Sequence, residues 1–75
     1  MPFIDIKVIQ GVFTPEEKRE LVERLSEAAI DVEGEALRPF TVTAITETPS
    51  GEWAVGGQPY TADDVKAARS TSATV

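Results

Sequence analysis

The sequence contains no cysteine and no histidine. Those two absences exclude disulfide frameworks, thiolate nucleophiles, imidazole bases, Ser-His-Asp triads and nearly all zinc sites. Positive charge is scarce too: seven Lys and Arg stand against thirteen Asp and Glu, a net charge of −6. The seven are scattered rather than clustered, which argues against a phosphate-binding surface and so against nucleic acid as a partner. No apolar run approaches the roughly 18–20 residues that span a bilayer, and the start MPFIDIKVIQ has neither a basic leader nor an apolar h-region. The expectation is a soluble, cytoplasmic protein with no membrane partner. Any chemistry falls to carboxylates, Lys, Arg, Tyr, hydroxyls or the amino terminus of the chain itself.

What is present fits one small domain. A chain of 75 residues buries only about 60% of its unfolded surface. Without disulfides or metal, the staple left to it is self-association. Phe3 to Ile9 alternates as a strand, with Ile4, Ile6 and Val8 on one face and Phe3, Asp5, Lys7 and Ile9 on the other. Gly11 ends it. Thr14-Pro15-Glu16-Glu17 then reads as a helix start, with Thr14 as N-cap, Pro15 in the first turn and Glu17 closing a capping box. Leu21, Val22, Leu25, Ala28 and Ala29 recur at three- and four-residue spacing, so Pro15 to about Ile30 is an amphipathic helix, with Gly34 as its stop.

The β-branched run Phe40 to Thr46 predicts a second strand. Strand, helix and strand make a βαβ unit with parallel strands, of α/β or α+β class. Trp53-Ala54-Val55-Gly56-Gly57 suggests a hairpin or edge strand, and Thr61-Ala62-Asp63-Asp64 starts a short helix to about Arg69. Residues 1–69 are expected to form the domain and 70–75 a disordered tail. A two-stranded sheet under one helix leaves Phe3, Ile9, Phe40, Val42 and Ala44 with too much apolar surface for solvent, so another subunit should cover them.

Pro2 is the residue that could carry chemistry. A small residue after the initiator Met licenses its removal, which would leave proline as a secondary amine at the terminus. In an apolar pocket such an amine is held closer to its neutral form and can act as a base or a nucleophile. The alternative is that Pro2 only starts the strand, where a missing N–H does no harm. Arg38 is either a bidentate carboxylate ligand or a solvated cation before Pro39.

From Pro2 to Gly57 the sequence resembles the 4-oxalocrotonate tautomerase family of small β-α-β subunits. The resemblance lies in the Met-Pro start, the strand ending at Gly11, the helix start Pro15-Glu16-Glu17-Lys18, the Thr-rich second strand ending in Thr46-Glu47, and Trp53-Ala54-Val55-Gly56-Gly57. It implies dimers that build hexamers through their sheets, trimers or dimers being the smaller options. It also implies an interface active site without metal or cofactor, and Pro2 as general base for keto–enol isomerisation of a small 2-oxo acid, a 2-hydroxy-dienoate or aryl pyruvate. Trp53 aligns with the aromatic residue at the pocket mouth.

Two departures stand out. Val12 follows the strand-ending glycine where dicarboxylate-handling members have arginine, and Val42, or Thr43, stands at a second family arginine, leaving Arg38 upstream as the candidate substrate ligand. Two other readings stay open: a non-catalytic oligomeric scaffold of the same fold, and a hydratase- or dehalogenase-like member acting on an unsaturated acid. Catalysis requires removal of Met1.

Overall fold

The computed structural model describes residues 2–72. Strand β1 (Phe3–Ile9) leads through Gly11 into helix α1 (Pro15–Glu33), and a 3-10 helix (Glu35–Phe40) returns the chain to strand β2 (Val42–Thr48). A hairpin of β3 (Trp53–Val55) and β4 (Gln58–Tyr60) precedes helix α2 (Ala62–Ser72). β1 and β2 pair in parallel with Phe3 opposite Val42 and Ile9 opposite Thr48. The expected α+β unit is therefore the observed one, hairpin and short helix included.

Local chemistry explains the boundaries. The Thr14 hydroxyl accepts from the Glu17 N–H at 3.1 Å while the Glu17 carboxylate accepts from the Thr14 N–H at 3.0 Å, which satisfies two donors that a helix start otherwise leaves bare. Thr61 and Asp64 repeat the exchange at α2, at 2.9 and 3.2 Å. Gly56 and Gly57 have φ of 58° and 83°, the two positive angles that a two-residue hairpin turn with the right twist demands.

Some details differ from expectation, α1 running to Glu33 rather than about Ile30. β2 begins at Val42 rather than Phe40, because the 3-10 helix takes up Arg38-Pro39-Phe40, and it runs to Thr48 before Pro49 stops it. α2 continues past Arg69 to Ser72, since neither Gly nor Pro interrupts it; Ser70 to Ser72 are thus helical, and the rest of the expected tail lies outside the described residues. Ile9 was expected on the open sheet face, yet it is buried, because the segment carrying Val12 and the hairpin close over that end of the sheet.

The two faces of the sheet are unlike. Thr43 shares a 2.6 Å hydrogen bond with Ser26 of α1, and Lys18 of α1 reaches Glu47, so the odd positions of β2 face the helix together with Ile4, Ile6 and Val8, their partners in register. The opposite face carries Phe3 and Val42 at one end, 68% and 43% exposed, and an Asp5, Lys7 and Thr46 cluster further along. Only Ile9, Val12 and Ile30 are buried among the described residues. The radius of gyration is 14.8 Å, against about 11 Å for a compact chain of this length. The accessible surface is 5372 Å², against about 4,500 Å² for a compact monomer of this mass. The subunit is elongated and leaves apolar surface uncovered. No described helix is long and apolar enough to cross a membrane.

Candidate active site

Pro2 heads β1 and is half-buried, and its carbonyl accepts from the Val42 N–H at 3.1 Å. That bond extends the parallel ladder by one step and sets Pro2 beside Thr41. Both lie on the helix-facing side by alternation: Pro2 is two residues before Ile4, and Thr41 two before Thr43. The Thr41 hydroxyl donates to Glu33 Oε2 at 2.6 Å and lies 3.0 Å from the Leu37 carbonyl. Thus the last turn of α1 is tied to the start of β2 where Pro2 sits. Glu33 Oε1 is buried and has no hydrogen-bond partner.

Arg38 is near this end but is not free. Its guanidinium grips both Glu27 oxygens, at 2.8 and 3.0 Å, and both Glu35 oxygens, at 2.5 and 3.2 Å. Arg38 holds both carboxyls below the usual carboxylate range, and the two acids in turn push its own proton affinity up. A substrate carboxylate would have to compete with two acids already in place.

Trp53 lies at the far end of the sheet. With Val8, Ile9, Val12, Phe13 and Val65 it lines a mostly apolar hollow of about 290 Å³. The length of β1, six residue steps at about 3.3 Å each, separates this hollow from Pro2, so one chain does not bring Pro2 and Trp53 together. Beside the hollow, Arg69 donates to the Val12 carbonyl at 3.3 Å, pairs with Glu17, and stacks its guanidinium 5.0 Å from the Phe13 ring centre. Chiefly through that Arg69 contact, and then the Thr14 N–H, the Glu17 carboxyl is drawn down to about 2. A cation therefore does reach the segment after Gly11, from α2 rather than from position 12. Sequence reasoning missed Arg69 and Glu33, because nothing local marks either residue.

A model of the tautomerase enzyme family matches residues 2–63. The chain belongs to the tautomerase family. A probable tautomerase K2 from Dickeya dadantii (strain 3937) is 30% identical over 61 residues, covering 81% of this chain and 90% of that one. Among solved structures, YwhB, a homologue of 4-oxalocrotonate tautomerase, is 32% identical with a TM-score of 0.67 over 84% of this chain and 97% of its own. TomN, a 4-oxalocrotonate tautomerase homologue of the tomaymycin biosynthetic pathway, is 28% identical with a TM-score of 0.69, covering 93% and 95%. Membership in the tautomerase family supports a tautomerase-type, isomerase function for this chain.

Proposed function

We propose that the protein is a cofactor-independent tautomerase that interconverts the enol and keto forms of a small 2-oxo acid, with Pro2, freed by removal of Met1, as general base. The observation that carries this reading is the position of Pro2 in a tautomerase-family chain: half-buried at the head of β1, next to the exposed apolar pair Phe3 and Val42. A cover over that pair that also closes the adjoining end of β1 would desolvate the amine, which favours its neutral, proton-accepting form. The nitrogen takes a proton from the enol oxygen or from one carbon and returns it to another carbon.

A second copy is the proposed cover, assembled through the open sheet face into a dimer and on to a hexamer. The site is then composite. Pro2 comes from one copy and Trp53 from another, whose hollow offers a flat indole to a planar dienolate. Arg38 enters as a carboxylate ligand that a substrate reaches only by displacing Glu27 or Glu35. With Val12 in place of an arginine, a monoacid or an aryl pyruvate enol is the favoured substrate class.

The test is a rate on protein of known mass. Intact mass should show Met1 removed, and Pro2→Ala should slow ketonisation of phenylenolpyruvate by about 10²–10⁴, the usual contribution of a positioned base. An unchanged rate, or Met1 retained in natively produced protein, rejects Pro2 as the base.

A further inference from the structure

Glu33 carries a feature that the proposed reaction leaves unused. Its Oε2 accepts from Thr41, while Oε1 is buried without a donor. Native folds keep few such groups, and each calls for a partner or a role. The charged neighbours are already matched: Glu27 of α1 and Glu35 of the 3-10 helix share Arg38. On the helix-facing side, β1 and β2 present only Ile4 and Thr43 near this end, and Asp5 with Lys7 lies on the opposite face. Among the described residues, no cation pairs with Glu33.

Pro2 stands beside Thr41, the residue that holds Glu33. In a parallel ladder the nitrogen and carbonyl of one residue face the same neighbouring strand. Because the Pro2 carbonyl accepts from Val42, the Pro2 nitrogen also faces the β2 side, at the Phe40–Thr41 link to which the Thr41 hydroxyl ties the Glu33 carboxylate.

We propose that Glu33 is a positioning residue for the amino terminus: its Oε1 accepts an N–H of the Pro2 ammonium and stabilises the cation that forms when Pro2 takes the substrate proton. This rests on the reading of Pro2 as a free terminal base. The proton passes from substrate to the Pro2 nitrogen and back to the substrate, and none is transferred to Glu33. A carboxylate held in this way raises the amine's proton affinity, opposing the apolar cover, and fixes the direction of its lone pair. Thr41 orients the carboxylate through the other oxygen.

The experiment follows the amine itself, by NMR titration of Met-free protein carrying isotope-labelled proline, alongside the pH profile of kcat/KM. Glu33→Gln should lower the Pro2 pKa by about one unit, move the acid limb of the profile down with it, and cost about tenfold in kcat/KM at the plateau. Thr41→Val, which leaves the carboxylate without its hydroxyl donor, should move the amine pKa the opposite way, upward. A merely structural Glu33 would lower Tm and leave both titrations in place. A folded Glu33→Gln with an unchanged amine pKa overturns the proposal; if that variant does not fold, an unchanged pKa in Thr41→Val overturns it. Pro2→Ala separates the two failures. If it abolishes turnover while Glu33→Gln shifts nothing, only the role of Glu33 falls; if it has no effect, Pro2 is not the base.

Discussion

The two ends of the β1–β2 sheet differ in chemistry. At the Pro2 end there is polar machinery, Thr41 with Glu33 and Arg38 with its two acids, under an apolar face open to solvent. At the Ile9 end there is an apolar hollow with Trp53 on its wall and Arg69 beside it, and Ile9 and Val12 are already buried there. One end has a candidate base and an open, polar hollow of about 370 Å³ lined by Ser26, Glu27, Arg38, Thr41 and Thr43; the other has a mostly apolar hollow and no base. The difference teaches that the proposed reaction needs a second copy to bring the two ends together. The surface excess and the elongated form of the chain are in keeping with that proposal.

The strongest way to break this comparison is to spoil the open face. Burying a Phe or Val side chain contributes about 1.5–3 kcal/mol in each copy, whereas an unpaired carboxylate forced into such an interface is strongly unfavourable. Phe3→Asp should therefore convert the assembly to a monomer by size-exclusion chromatography with light scattering. Turnover should fall with it by at least about 10², since the base loses its cover. A Phe3→Asp oligomer of unchanged size would show that this face is not the interface.

The second experiment tests whether the two halves meet between copies. Trp53→Ala should lower kcat/KM by about tenfold, in line with the loss of one aromatic packing surface, and Pro2→Ala should be far worse. Co-refolding the two variants together should restore activity above the sum of the separate proteins, because some sites then combine an intact Pro2 with an intact Trp53. Strict additivity would mean that both residues serve the same chain.

Much of the fold was legible because its signals are local. The period of two in Phe3 to Ile9, the Thr14 and Glu17 capping pair and the double glycine at 56–57 each act over a few residues, and each appears as written. The start of β2 was displaced because Phe40 has strand propensity but is claimed by a 3-10 helix, a choice made by its neighbours. The site was less legible. Trp53 lines an apolar hollow at the opposite end of β1 from Pro2, and residue order does not say which end of a strand a hairpin covers. Glu33 reads as one more helix acid until Thr41, eight residues on, folds back to it.

Acid provides a smaller probe, confined to the Ile9 end. The Glu17 carboxyl, drawn down to about 2 chiefly by Arg69, titrates below its unfolded value of about 4.3. The stability it contributes is complete above that unfolded value and is lost as pH falls from about 4.3 toward about 2. Glu17→Gln should therefore lower Tm by a few degrees at neutral pH, and the gap to wild type should close across that acidic window. A gap that persists unchanged at the acidic end would mean that Glu17 acts by packing rather than by charge.

The smallest effect is expected at Arg38, for a reason the two ends make plain. Its guanidinium is nearly half exposed, with 45% of the side-chain surface accessible, and already satisfied by Glu27 and Glu35. Exposed ion pairs contribute little to stability, and a new carboxylate gains only the difference between itself and the acid it displaces. Arg38→Ala should thus raise KM for an enol acid by no more than about threefold, with kcat unchanged. The informative quantity is the ratio of kcat/KM for the acid to that for its methyl ester. A tenfold fall in that ratio would establish Arg38 as the carboxylate anchor and would require Glu27 or Glu35 to swing away on binding; an unchanged ratio would leave Arg38 as the clasp between α1 and the 3-10 helix, with the substrate carboxylate held from elsewhere in the assembly.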